Sequence, residues 1–311
     1  MADGGASPLS WAKLIPMNHL NTLLAATDLS APSRHAAQRA AMLARQTGAR
    51  LELVHVLHKS ALDELQRLFG EEGEALQGRI RAQASEALAQ LAADIGEPHG
   101  VSAGCHLVEG AVLDAIVAQA DFLDINLLIV GARGAGFMRH WLLGATAERL
   151  LRKTLRPVLV VKQPPREAYR SVLVPVDFSP WSQGAIRLAL AVAPQAELIL
   201  LHAYEVAFEG KLRFAGVHEE VIRRHRETTR REALARLQQA AADAGIAAAN
   251  WRPLVIHGDA ASRILEQEEE QGADLIVLGK HGVGMTEEFL LGSVTKHVLD
   301  QARSDVLVAA R

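Results

Sequence analysis

The chain carries one cysteine, Cys105, in 311 residues, so no intrachain disulfide can staple it. That suits a reducing, cytoplasmic setting. It lacks an excess of either charge: 33 basic residues face 36 acidic ones, a net charge of −3, and both halves of the chain are similarly balanced. A polyanion-binding protein concentrates basic residues on one face, so nucleic acid is not an expected partner. Long apolar runs are missing too. The most apolar stretch, "LALAVAPQAELILL" (188–201), is interrupted by Pro194 and Glu197 and is shorter than the roughly 20 residues needed to cross a bilayer. The N-terminus has no charged start followed by an apolar core, so no membrane or secretory signal is expected there.

Several catalytic signatures are absent as well. No GxxxxGK[ST] loop occurs: Lys280 follows Gly279, but no Ser or Thr comes next. "GARGAG" (131–136) is not GxGxxG and follows a fourth strand-like run instead of a first one, which argues against a dinucleotide-binding dehydrogenase. There is no GxSxG elbow, and the 13 histidines form neither HExxH nor a Cys/His cluster. The charge run "RRHRETTRRE" (223–232) reads as a solvated, ion-paired helix face.

What the chain does have is an internal repeat. "GARGAGFMRHWLLGAT" (131–146) and "GKHGVGMTEEFLLGSVT" (279–295) place Gly131, Gly134 and Gly144 against Gly279, Gly282 and Gly292, each offset by 148 residues. "NTLLAATDLSAPS" (21–33) matches "SVLVPVDFSPWS" (171–182), with Asp28 against Asp177, and His55 stands against His202. Gly110 stands against Gly258, and "RPVLVVK" (156–162) against "SDVLVAA" (304–310). A period this long is a duplicated domain, since solenoid units run about 20–50 residues. The expected organisation is an extension over 1–18, a first domain over 19–163, a linker over 164–170 containing Pro164 and Pro165, and a second domain over 171–311.

Within each half, continuous Val/Ile/Leu runs alternate with segments of helical period. Continuous runs mark strands buried on both faces, so the expected class is α/β, a parallel sheet covered by helices on both faces. Ligands of such sheets sit beyond the carboxyl ends of the strands, where strand order reverses. Asp177, His202, Ala203 and Gly279 all close strand-like runs. The histidines at 55 and 202 read as hydrogen-bonded structural residues. Gly279 and Gly282 can take positive φ or let backbone approach a ligand closely. Gly292-Ser293 opens a helix whose unpaired N–H groups, with the Ser293 and Thr295 hydroxyls, make an anion site suited to phosphate. The alternative is structural: the glycines only shape a tight loop and Ser293 only caps a helix.

The spacing Gly279-x2-Gly282-x9-Gly292-Ser293, with "VLVPVDFS" and "RGAGFMRHWLLGATAERLL", resembles the universal stress protein family over residues 19–311. The resemblance implies UspA-like tandem domains, each an adenine-nucleotide alpha-hydrolase-like, five-stranded parallel sheet of order 3-2-1-4-5. It implies ATP, or a related adenine nucleotide, expected with Mg²⁺; Asp177 near a phosphate chain would support at most slow hydrolysis. By motif, Pro175, Val176 and Asp177 would lie near adenine and ribose, with Ala203 beside the base. Gly279, Gly282, Gly292, Ser293 and Val294 would hold ribose and phosphates, aided by Thr295. In the first half Asp28, Gly131, Gly134, Gly144 and Thr146 remain, but Ala145 replaces the serine, so that site would be weaker, empty or tuned to another ligand. The resemblance also implies that the two final strands pair, giving an intramolecular pseudo-dimer. A homodimer of whole chains and an unidentified protein partner stay open, as does the alternative of a scaffold module with degenerate pockets.

Overall fold

The computed structural model describes residues 19–133, 143–206, 209–282 and 291–309. The sequence-predicted site residue Gly134 lies outside them.

Each half follows the alternation of apolar run and helix. The first is β1 (Thr22–Ala26), α1 (Ala31–Thr47), β2 (Arg50–His58), α2 (Lys59–Phe69), α3 (Glu71–Gly96), β3 (Ala103–Gly110), α4 (Val112–Phe122), β4 (Leu127–Gly131), α5 (Ala145–Lys153) and β5 (Val158–Val161). The second is β6 (Ser171–Pro175), α6 (Pro180–Val192), β7 (Glu197–Tyr204), α7 (Glu209–Phe214), α8 (Glu219–Asp243), β8 (Trp251–His257), α9 (Ala260–Gln271), β9 (Leu275–Gly279), α10 (Ser293–Gln301) and β10 (Asp305–Ala309).

All ten strands join one sheet of order β3-β2-β1-β4-β5-β10-β9-β6-β7-β8. Each half therefore has the 3-2-1-4-5 order with parallel pairing. The halves meet where β5 and β10 run antiparallel, Val160 opposite Val306 and Val158 opposite Val308. A strand with helices on both sides must bury every side chain, and the central ones do. Leu23, Ala25 and Leu307 face one helical layer, Leu24, Val160 and Val306 the other, and each apolar cluster continues across the seam between halves.

The connecting segment is fastened by a buried polar knot. Asp305 accepts hydrogen bonds from the Lys162 amide at 2.8 Å and the Tyr169 hydroxyl at 2.7 Å. Arg39 stacks over the Tyr169 ring, donates to the Glu167 carbonyl at 2.7 Å and lies 3.4 Å from the Asp305 carboxylate. Burial beside that carboxylate pushes the Tyr169 phenol well above its ordinary pKa, so the hydroxyl keeps its proton.

Candidate functional site

The turn after the first strand is built the same way in both halves. Asp28 and Asp177 each fold back on the amide two residues on, Ser30 at 3.0 Å and Ser179 at 2.9 Å. Such a bend forces the intervening residue into left-handed conformation: Leu29 has φ 64° and Phe178 φ 63°. Strain of this kind, at about 1–3 kcal/mol, persists only where neighbours hold it, and it clusters at binding sites. The neighbours here are the two histidines. His55 Nδ1 donates to the Thr27 carbonyl at 2.8 Å and His202 Nδ1 to the Val176 carbonyl at 2.7 Å. Burial pushes the His202 pKa below its ordinary value, so the ring is neutral near pH 7 and serves as a fixed donor. Arg236 and His202 also pack on the Phe178 ring.

Among the described glycines of the two loops none has positive φ. Neither Gly131 nor Gly279 has a left-handed backbone; each is a point where helix and strand backbones touch. A Cβ on Gly131 would lie 2.9 Å from the Pro32 carbonyl, and one on Gly279 would lie 2.8 Å from the Trp181 Cβ. Gly282 sits against the carboxylate: its Cβ would lie 3.2 Å from Asp177 Oδ2. The ends of the loop are tied together, with the Gly292 amide donating to the Lys280 carbonyl at 3.0 Å and the Gly144 amide to the Ala132 carbonyl at 2.8 Å.

These residues line a cavity of about 230 Å³ in the second half. Its wall contains Pro175, Val176, Asp177, Ala203, Gly279, Gly282, Gly292, Ser293, Val294 and Thr295, every second-half residue to which the sequence assigns a nucleotide-binding part. His281, packed edge-on to Trp181 with ring centroids 4.8 Å apart, and Ile264 also line it and were missed. The repeat does offer a signal for His281, since it stands in the glycine loop where the first half has Arg133. The N-cap of α10 is Gly292, without a side-chain cap, and Ser293 is the first residue of the helix and exposed. Ser293 is therefore not the cap that the structural alternative required. Thr295 is buried, and its hydroxyl donates to the Gly279 carbonyl at 2.9 Å, tying helix to strand end.

In the first half a larger cavity, about 490 Å³, gathers Asp28, His55, Gly131, Arg133, Gly144, Ala145 and Thr146. Differences at the helix start separate the two sites. Ala145 stands for Ser293, Ala147 for the Thr295 clamp, and Glu148 for Lys296. An acid in the first turn of α5 offsets the positive end of that helix, whereas α10 has none there. Among the described residues no group of three or more His, Cys, Asp or Glu could hold a metal ion. No helix among them is long and apolar enough to cross a membrane.

Comparisons with known proteins agree with this architecture. The family model described as "Universal stress protein family" matches twice, over residues 19–162 and 168–310. A universal stress protein of Mycobacterium tuberculosis is 32% identical over 195 residues, which span 60% of this chain and 62% of that relative's length. One from Mycolicibacterium smegmatis is 27% identical over 292 residues, 92% of this chain and 96% of that protein. The crystal structure of a universal stress protein from Archaeoglobus fulgidus superposes with a TM-score of 0.66 at 22% identity, over 94% of this chain and 98% of that one. With both halves matched and the tandem sheet in place, the chain belongs to the universal stress protein family.

Proposed function

We propose that the chain is a regulatory adenine-nucleotide-binding protein of the stress response, working in the cytoplasm, with ATP or a related nucleotide held in the second-half cavity. The observation that carries this reading is the convergence, in one cavity at the strand ends, of Asp177, the closely tied glycine loop and the uncapped N-terminus of α10. Adenine and ribose lie between Pro175, Val176, Asp177 and Ala203. The phosphates meet Gly279, Gly282 and the amides of α10, with the exposed Ser293 hydroxyl as a further donor. Thr295 contributes by clamping α10 to Gly279. Mg²⁺ would accompany the phosphates, and Asp177 is the acidic residue in the cavity wall that could meet it. Catalytic turnover is not part of this reading.

A scaffold role without nucleotide is favoured by one observation, the small size of the cavity. At about 230 Å³ it falls below the ~300–1,000 Å³ usual for ligand sites. Calorimetry with ATP and Mg²⁺ separates the two. The expected result is saturable binding to the wild-type chain, abolished in a folded Gly282→Val variant, whose side chain would enter the space beside Asp177. Unchanged binding in that variant would refute the placement. A wild-type chain that takes up no nucleotide would favour the scaffold.

A further inference from the structure

The antiparallel seam sets the strand ends of one half beside the helix ends of the other. Two lysines exploit this. Lys280, only 4% exposed, lies between Gly279 and His281, two residues that line the second cavity. Its ammonium crosses the seam and donates to the carbonyls of Arg152 at 3.3 Å and Thr154 at 3.2 Å, at the carboxyl end of α5. Lys162 follows β5 and crosses the other way, donating to the carbonyls of Leu299 at 2.7 Å and Ala302 at 2.5 Å, at the carboxyl end of α10. A cation is well placed at a helix carboxyl end, where the last carbonyls have no partners.

The helices so held are the ones that open the two cavities. Ala145 and Thr146, at the start of α5, line the first; Ser293, at the start of α10, lines the second. Each helix has nine residues and is thus a rod about 13 Å long. Lys280 cannot shift independently of its loop: its amide donates to Ala309 and its carbonyl accepts from Gly292. Lys162 is likewise tied to the first cavity, since the carbonyl of its neighbour Val161 accepts from the Ala132 amide.

We propose that the two cavities are energetically coupled through these crossed lysines. A ligand or substitution that displaces the 279–282 loop moves Lys280, and with it α5 and the N–H groups that α5 presents to the first cavity. Lys162 and α10 carry the same influence back. Linkage requires the coupling to be reciprocal. The repeat makes the design asymmetric in sequence, since Ala132 stands where Lys280 stands in the second half. The nucleotide reading enters only where ATP serves as the perturbation.

Hydrogen exchange on the full-length chain tests this without any ligand. Gly282→Val, confined to the second cavity, should speed amide exchange in α5 by about two- to fivefold, the ratio implied by a helix-terminus charge of ordinary strength. Lys280→Met should do the same. The two substitutions together should give no more than Lys280→Met alone, because the route is already cut. Additive effects, or an α5 indifferent to Gly282→Val, would overturn the coupling. If Lys280→Met fails to fold, Lys162→Met decides: it should loosen α10, and its combination with Gly131→Ala in the first cavity should again be less than additive. With ATP as probe, protection of 292–298 accompanied by a change in α5 that vanishes in Lys280→Met supports the proposal. Protection confined to the second half refutes it while leaving the nucleotide site intact. Protection nowhere counts against the nucleotide site, and the ligand-free variants still decide the coupling.

Discussion

Replacing Asp305 by alanine should be among the most costly single changes in this chain. Its side chain is 1% exposed, and that of Arg39, 3.4 Å away, is 8% exposed. The carboxylate also accepts from the Lys162 amide and the Tyr169 hydroxyl. Asp305→Ala leaves the guanidinium buried without its counter-charge, and removing one partner of a buried pair costs about 3–5 kcal/mol. Whole domains are stable by about 5–15 kcal/mol, so the variant should fold but with little margin. Urea unfolding at pH 7, followed by circular dichroism, measures the loss. The informative control is Arg39→Met. With both charges gone no buried charge is left uncompensated, so the double variant should be more stable than the sum of the single losses by about 1–3 kcal/mol. A loss below about 1 kcal/mol in Asp305→Ala, or additivity within about 0.5 kcal/mol, would refute the view that this pair holds the connecting segment to the seam.

Other expectations concern the two sites and one buried amine. Ser293→Ala should weaken ATP binding by roughly ten- to a hundredfold, the worth of one hydrogen bond to a charged group at ~1.5–3 kcal/mol, and calorimetry should find the second site the tighter of two; equal sites would count against the Ala145 and Glu148 argument. His202→Leu should strand the Val176 carbonyl, cost about 1–3 kcal/mol in urea unfolding and weaken ATP binding by loosening the Asp177 turn, and an unaffected affinity would show that the turn needs no such brace. Burial lowers the Lys162 pKa from 10.5 to about 8. The unfolded chain then holds more protons than the folded one between those values, so the burial penalty is full below pH 8 and fades as pH rises towards 10.5. Relative to Lys162→Met, the wild-type chain should gain about 2 kcal/mol between pH 7 and pH 9.5, and a flat difference would mean that the amine titrates normally.

The sheet was legible because strands buried on both faces must be apolar throughout, as "LLIV" and "DLIVL" are, and because duplication repeated every such run. The second-half wall was legible because Asp177, Gly279, Gly282 and Gly292 are residue types with few local substitutes. The reasons behind some of them were not. Gly279 offers both φ freedom and close approach of a ligand, and the structure adds another reason for its size: Trp181, distant in sequence, packs onto it. Left-handed backbone falls instead on Leu29 and Phe178, ordinary residues whose conformation is imposed by the preceding aspartate. The Thr295 hydroxyl looked like a phosphate donor and is spent on the Gly279 carbonyl. Lys162 and Lys280 carry no local signal at all, since their partners lie on the opposite half and only the antiparallel seam brings them together.

That seam also has a consequence in time. Val161 closes β5, and Asp305, 144 positions later, opens the strand that pairs with it. At synthesis rates of about 5–20 residues per second, the first half emerges with the "VLVV" edge open for roughly 7–30 s before β10 exists. An unpaired apolar strand edge is a template for pairing with other chains. During that interval two growing chains side by side could exchange final strands, each capping the other's sheet. A chain cut short before residue 305 would keep the edge open for good.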